Sequence, residues 1–270
     1  MNVLESGLRR TFDTPRPVTL LVEQVSGRLE IETTGHGSTQ VRVTALNPDA
    51  EGAADYVART RVDLDGDRLE IQMPHGNALR RKHPQVLTQV TLPEGSAVEL
   101  RSAATTLTTD GALGDVQVKS AGGAVTVDQA RDVTIRTAAG DVEVGQASGR
   151  VSVKSASSRV SVGRAAGLEV KGAAGEVHAV RLTGDVTIQT AAGNVRIDAL
   201  GAGNAKIEGK LANLEIGVVA GIDVHLDLQT GIGVVDCELD QVDGPRGSGG
   251  QLDLRANSAT GRVHVYRSVV

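Results

Sequence analysis

The chain has 270 residues, a formal net charge of −5 and 40% hydrophobic residues, so a sizeable core is available. That core must be aliphatic, because aromatics make up 1% of the chain: Phe12, Tyr56 and Tyr266, with no Trp. So few rings disfavour glycan grooves and single-stranded nucleic-acid platforms, and the acidic balance gives no reason to expect nucleic acid or an anionic membrane as partner.

The opening MNVLESGLRRTFD lacks the apolar run of a secretory signal, and no stretch reaches the roughly 20 apolar residues of a membrane span. A soluble, cytoplasmic protein is the expectation. Residues 1–97 form an irregular β region, with strand-like runs at Val18–Val25, Leu29–Glu32, Gln40–Ala45, Arg61–Leu64, Arg68–Met73 and Gln85–Leu92. Asp49–Arg59 (DAEGAADYVAR) fits a short helix capped by Asp or Asn. Asp63-Leu-Asp65-Gly-Asp67 has a superficial calcium-loop look, but Pro74 stands where an EF-hand needs an acid, so a tight hairpin turn is expected. Leu79–Pro84 (LRRKHP) concentrates positive charge and reads as a solvated loop.

From residue 98 an apolar–any–apolar unit recurs, beginning at Val98, Leu107, Val116, Val125, Val133, Val142, Val151, Val160, Leu168, Val177, Val186, Val195, Ala205 and Leu214. Each unit reads as a short strand followed by small or turn-forming residues. Alternate units share a corner motif, as in Lys119-Ser-Ala-Gly, Arg136-Thr-Ala-Ala, Lys154-Ser-Ala-Ser and Gln189-Thr-Ala-Ala. The repeat is therefore about 18 residues, two short strands and two tight corners per coil. The expected fold is all-β: a β-solenoid (parallel β-helix) over residues 98–242, with coils stacked about 4.8 Å apart and inward Val, Ile and Leu in columns. Residues 1–97 supply the first coils, with hairpin excursions, and an end cap. Residues 243–270 supply a surface loop, Asp243–Gly250, and terminal strands ending at Arg262–Tyr266.

The segments TFDTPRPVTLLVEQVSGRLEIET and RVDLDGDRLEIQMP, the GDVxV repeats and the closing SATGRVHVYRS resemble the bacterial putative-adhesin family, a β-strand-repeat domain of unknown function described as an autotransporter-adhesin-like head. The resemblance spans nearly the whole chain and implies a repetitive all-β fold without established catalytic residues. The narrow Val-rich coils are also similar to bactofilin-type solenoids.

Alternation points the valines inward and their neighbours outward. One outer face then carries Arg101, Lys119, Arg136, Lys154, Lys171 and Lys206 against Glu99, Glu169 and Glu208, a balance of +3. The other carries Asp110, Asp128, Glu143, Asp198 and Glu215 against Arg196, a balance of −4, with His178 neutral and glycines 145, 163 and 217 making it flat. These faces are candidate interaction surfaces. So is the final strand, Val263, Val265 and Tyr266, expected to close the stack with an open edge. The six histidines are dispersed in sequence, and Cys237 reads as a small buried hydrophobe. No catalytic residue, metal or cofactor is expected. The function expected is a non-catalytic scaffold or adhesin-like protein whose partner is protein, with a second copy as candidate (C-end to C-end or lateral). A β-helix carbohydrate-binding or carbohydrate-active protein is the alternative.

Overall fold

The computed structural model describes residues 7–74, 84–239 and 250–268. Among them nineteen strands accompany one six-residue helix, an all-β, β-solenoid-like fold, and no helix is long and apolar enough to cross a membrane. The chain divides into two compact units, Met1–Gly140 and Asp141–Val270.

In the first unit, β2 (Thr19–Thr34) lies parallel to β7 (Ala97–Ala112), and β7 lies parallel to β8 (Val116–Gly122) and β9 (Val125–Ala130). β8 in turn pairs with β10 (Val133–Ala139). Val98 sits beside Val116 and Val116 beside Val133, which is the coil length read from the sequence. Leu20, Val98, Val116 and Val133 form one inward column, all fully buried. On its other side β2 pairs in parallel with β5 (Arg68–Gln72) and β6 (Val86–Pro93). There the pattern turns antiparallel: β4 (Arg61–Asp65) against β5, and β3 (Ser38–Ala45) between β6 and β1 (Leu8–Asp13). These are the hairpin excursions. Asp65-Gly66-Asp67 is the β4–β5 turn, with Gly66 at φ 60. The helix α1 (Ala53–Ala58) forms, but its N-cap is Gly52 in the left-handed region with no side-chain cap, so the expected Asp or Asn cap is corrected.

The second unit stacks β11 (Val142–Ser157), β12 (Val160–Ala174), β14 (Val186–Leu200) and β15 (Gly203–Val218), with β13 (Val177–Leu182) between β12 and β14 along half of each coil. Where two short strands per coil are expected, several pairs run as one strand of 15 or 16 residues. Neighbouring coils bend in phase, so ladder pairing persists through the corner, as at Gln146 with Arg164 and Ala147 with Ala165.

The other corner is where the shared motif acts. Thr137 Oγ1 and Thr190 Oγ1 donate to the carbonyls two residues on, Ala139 and Ala192, at 2.8 and 3.0 Å, a local side-chain bond that closes the turn; the Ala192 carbonyl also accepts from the Gly175 N–H of the neighbouring coil at 3.2 Å. Gly140 and Gly193 follow at φ 118 and 128, and a Cβ on Gly193 would strike the carbonyl of Gly175, the glycine at the same corner of the neighbouring coil. Only glycine fits there.

The end of this unit departs from sequence order. β18 (Gln251–Thr260) lies between β15 and β16 (Asp223–Ile232), and β19 (Val263–Arg267) lies between β15 and β17 (Val235–Cys237). The chain leaves one coil position open, builds the outer coil, then returns to fill the gap. Inward side chains on the filling strands are fully buried (Leu252, Leu254, Ala256, Val263, Val265), whereas Val224, Leu226 and Leu228 on β16 are half-buried.

Candidate functional site

Strand register fixes which outward side chains meet. In the first unit Arg101, Lys119 and Arg136 occupy successive rungs. Arg101 pairs with Glu23 at 3.2 Å and Glu99 at 3.6 Å, while Lys119 and Arg136 have no ion-pair partner among the described residues. In the second unit Lys154 and Lys171 are adjacent, and the column continues as Gln189 and Glu208. Lys171 binds Glu169 at 2.8 Å and Lys206 binds Glu208 at 2.8 Å. Hydrogen bonds from those lysines hold both carboxylates below their usual pKa. The basic character of this column is therefore largely neutralised beyond Lys154.

The acidic positions divide in the same way. In the first unit Asp110 is exposed, and Asp128 accepts a hydrogen bond from the Gly111 N–H at 3.1 Å. In the second, one outward column runs Glu143, Ser161, His178, Arg196, Glu215, His264, Asp236. Asp198 is its hub, taking His178 Nε2 at 2.8 Å and Arg196 Nε at 2.7 Å, and Arg196 reaches Glu215 at 3.3 Å. Burial works against the Asp198 carboxylate, but the bonds from Arg196 and His178 outweigh it and hold its pKa below the ordinary 3.8. A carboxylate held so low stays ionised and is a weak base, which suits pairing better than general acid–base catalysis. The Tyr266 phenol is pushed up by burial and by Glu215, and its ring rests against Gly217. A shallow cavity of about 430 Å³ opens beside this network, lined by Glu176, His178, Asn194, Arg196, Asn213 and Glu215.

Two expectations are corrected here. Val263, Val265 and Tyr266 do not form the open end: β19 is paired on both sides, and Val263 and Val265 are fully buried. Among the described residues the outer strands are β16 and β17, where Ile232 and Val235 are exposed, as is Val234 in the connection between them. Cys237 is exposed and free, although it continues the inward column Val144, Val162, Ala179, Ile197, Ile216, Val265. It is the last rung, and no described strand lies beyond to cover it. Leu79–His83 and Asp243–Gly249, read as loops, lie outside the described residues.

Sequence reasoning missed one cluster. Asp236, Glu238 and His264 bring ligand-type atoms within 4.8 Å of one another. Histidine and acids stand 26 and 28 positions apart in the chain, so only the β17–β19 register joins them. The Asp-x-Glu spacing, which puts two acids on one side of a strand, was the available signal.

The family described as Toastrack DUF4097 matches residues 22–245. This chain belongs to that family. No curated protein matches it. Among solved structures, the Toastrack chain is similar to a putative adhesin from Bacteroides fragilis, at 11% identity over 96% of each chain and a TM-score of 0.41. A putative adhesin from Parabacteroides distasonis aligns at 13% identity over 96% of each chain, with a TM-score of 0.40. A putative lipid binding protein from the same species aligns at 10% over 96% of each chain, with a TM-score of 0.31.

Proposed function

We propose that this Toastrack protein is a non-catalytic, scaffold- or adhesin-like interaction protein that pairs with a second copy through the outer coil of its second unit. The observation that supports this reading is the β16–β17 edge. Each of its strands has one partner among the described residues, β18 or β19, so a row of backbone donors and acceptors faces away from the stack. Beside that row lie half-buried Leu226 and Leu228 and exposed Ile232, Val234 and Val235, the apolar rungs a further coil would cover. Two copies meeting by this same edge form a closed two-fold pair, a C-end to C-end dimer. Lateral association is the weaker route, because most acids on the second unit's outward column are already paired within the chain.

Light scattering after size-exclusion chromatography, over a concentration series at low salt and at about 1 M salt, tests the proposal. The dimer is expected to persist at high salt, and Ile232→Lys with Val235→Lys is expected to give monomer with unchanged circular dichroism. A wild-type protein that is monomeric at every concentration, or a dimer that salt dissolves, overturns end-to-end pairing.

A further inference from the structure

We propose that Asp236, Glu238 and His264 form a binding site for a divalent transition-metal ion of the zinc class. Strand pairing preorganises the set. Asp236 lies directly opposite His264 in the β17–β19 ladder, and Glu238 follows two residues later, just past the end of β17, where its N–H donates to the Val265 carbonyl at 2.8 Å. Cys237, between the two acids, points the other way and is not part of the group. The three ligand atoms lie within 4.8 Å of one another, and His264 Nε2 is 3.2 Å from Glu238 Oε1. Bonds of about 2.0–2.2 Å in a tetrahedral zinc site bring ligand atoms to roughly 3.4 Å apart, so a small rotation, chiefly of the exposed Glu238, closes the site.

The neighbours fit outer-shell roles. Arg262 holds Asp236 Oδ2 at 2.6 Å, leaving the second carboxylate oxygen for the ion, and such outer hydrogen bonds orient ligating carboxylates. The His264 ring stacks on Tyr266, with centroids 5.2 Å apart, which limits its rotation. One imidazole with two carboxylates suits zinc, cobalt or nickel, whereas calcium and magnesium prefer all-oxygen sets. The His178–Asp198 pair differs, because among the described residues no third ligand-type atom gathers with it. Three protein ligands leave a position of a tetrahedral ion for water or for a donor from another molecule. The site does not depend on self-association.

Titration calorimetry of the full chain, metal-free and without a histidine tag, tests this with zinc chloride. One Zn²⁺ per chain is expected, with affinity falling at least about tenfold in His264→Gln and in Glu238→Gln and unchanged in His178→Gln. In the unaltered protein, the His264 ring resonances should shift on zinc addition while those of His178 stay in place, a readout that needs no variant. The proposal is overturned by absence of zinc binding at submillimolar metal, by binding that neither ligand variant weakens, or by a preference for calcium or magnesium.

Discussion

Replacing Ile188 with Ala tests the stacked-column core directly. Ile188 is fully buried on β14, with Val170 on one neighbouring rung and Ile207 on the other. Truncation removes three methyl or methylene groups at about 0.8 kcal/mol each, roughly 2.4 kcal/mol of transfer free energy. A cavity term adds to this, because the backbone ladder holds Val170 and Ile207 at fixed spacing and keeps them from closing on the gap. The expected loss is about 3–4 kcal/mol, measured by urea unfolding followed by far-ultraviolet circular dichroism, with Thr187→Ala as control. Thr187 is one residue away but faces outward between Glu169 and Lys206, so its truncation should stay within about 0.5 kcal/mol. A loss under about 1 kcal/mol at Ile188, or equal losses at both positions, would refute the inward and outward assignment.

Gly193→Ala should cost at least about 2 kcal/mol in the same assay, since a β-carbon is forced into a positive-φ corner against the Gly175 carbonyl; a neutral result contradicts that corner geometry. Asp198, whose folded pKa is depressed, stabilises the protein above its unfolded pKa, near 3.8, and that contribution disappears as pH falls through the lower folded value. Asp198→Asn should therefore lose stability at neutral pH and show a shallower loss on acidification, and parallel pH profiles for the two proteins count against the His178–Asp198–Arg196 clasp. Cys237 should react with a thiol reagent in the native protein nearly as fast as in urea, whereas strong native protection in the monomer would return it to the buried class.

Read by itself, the sequence determines the period, the strands and the inward side of each. Val142, Val160, Val177 and Val195 recur with polar neighbours, and alternation alone sends them to the core. The corner motif was legible as well, since Thr137 and Thr190 stand where a hydroxyl can close a turn beside a small residue. Alternation says which face a residue occupies but not which strand lies beside it. Apolar–any–apolar units are nearly interchangeable as neighbours, and pairing is decided by how much apolar surface each arrangement covers. Leu214 therefore meets Val263 rather than a rung of the next strand in sequence, and Val235 and Cys237 are left on the outside. The Asp236–Glu238–His264 cluster and the open β16–β17 edge both follow from that choice. Only the tertiary structure decided them, because the comparison that settles the order is between long-range burial energies, to which no local pattern is sensitive.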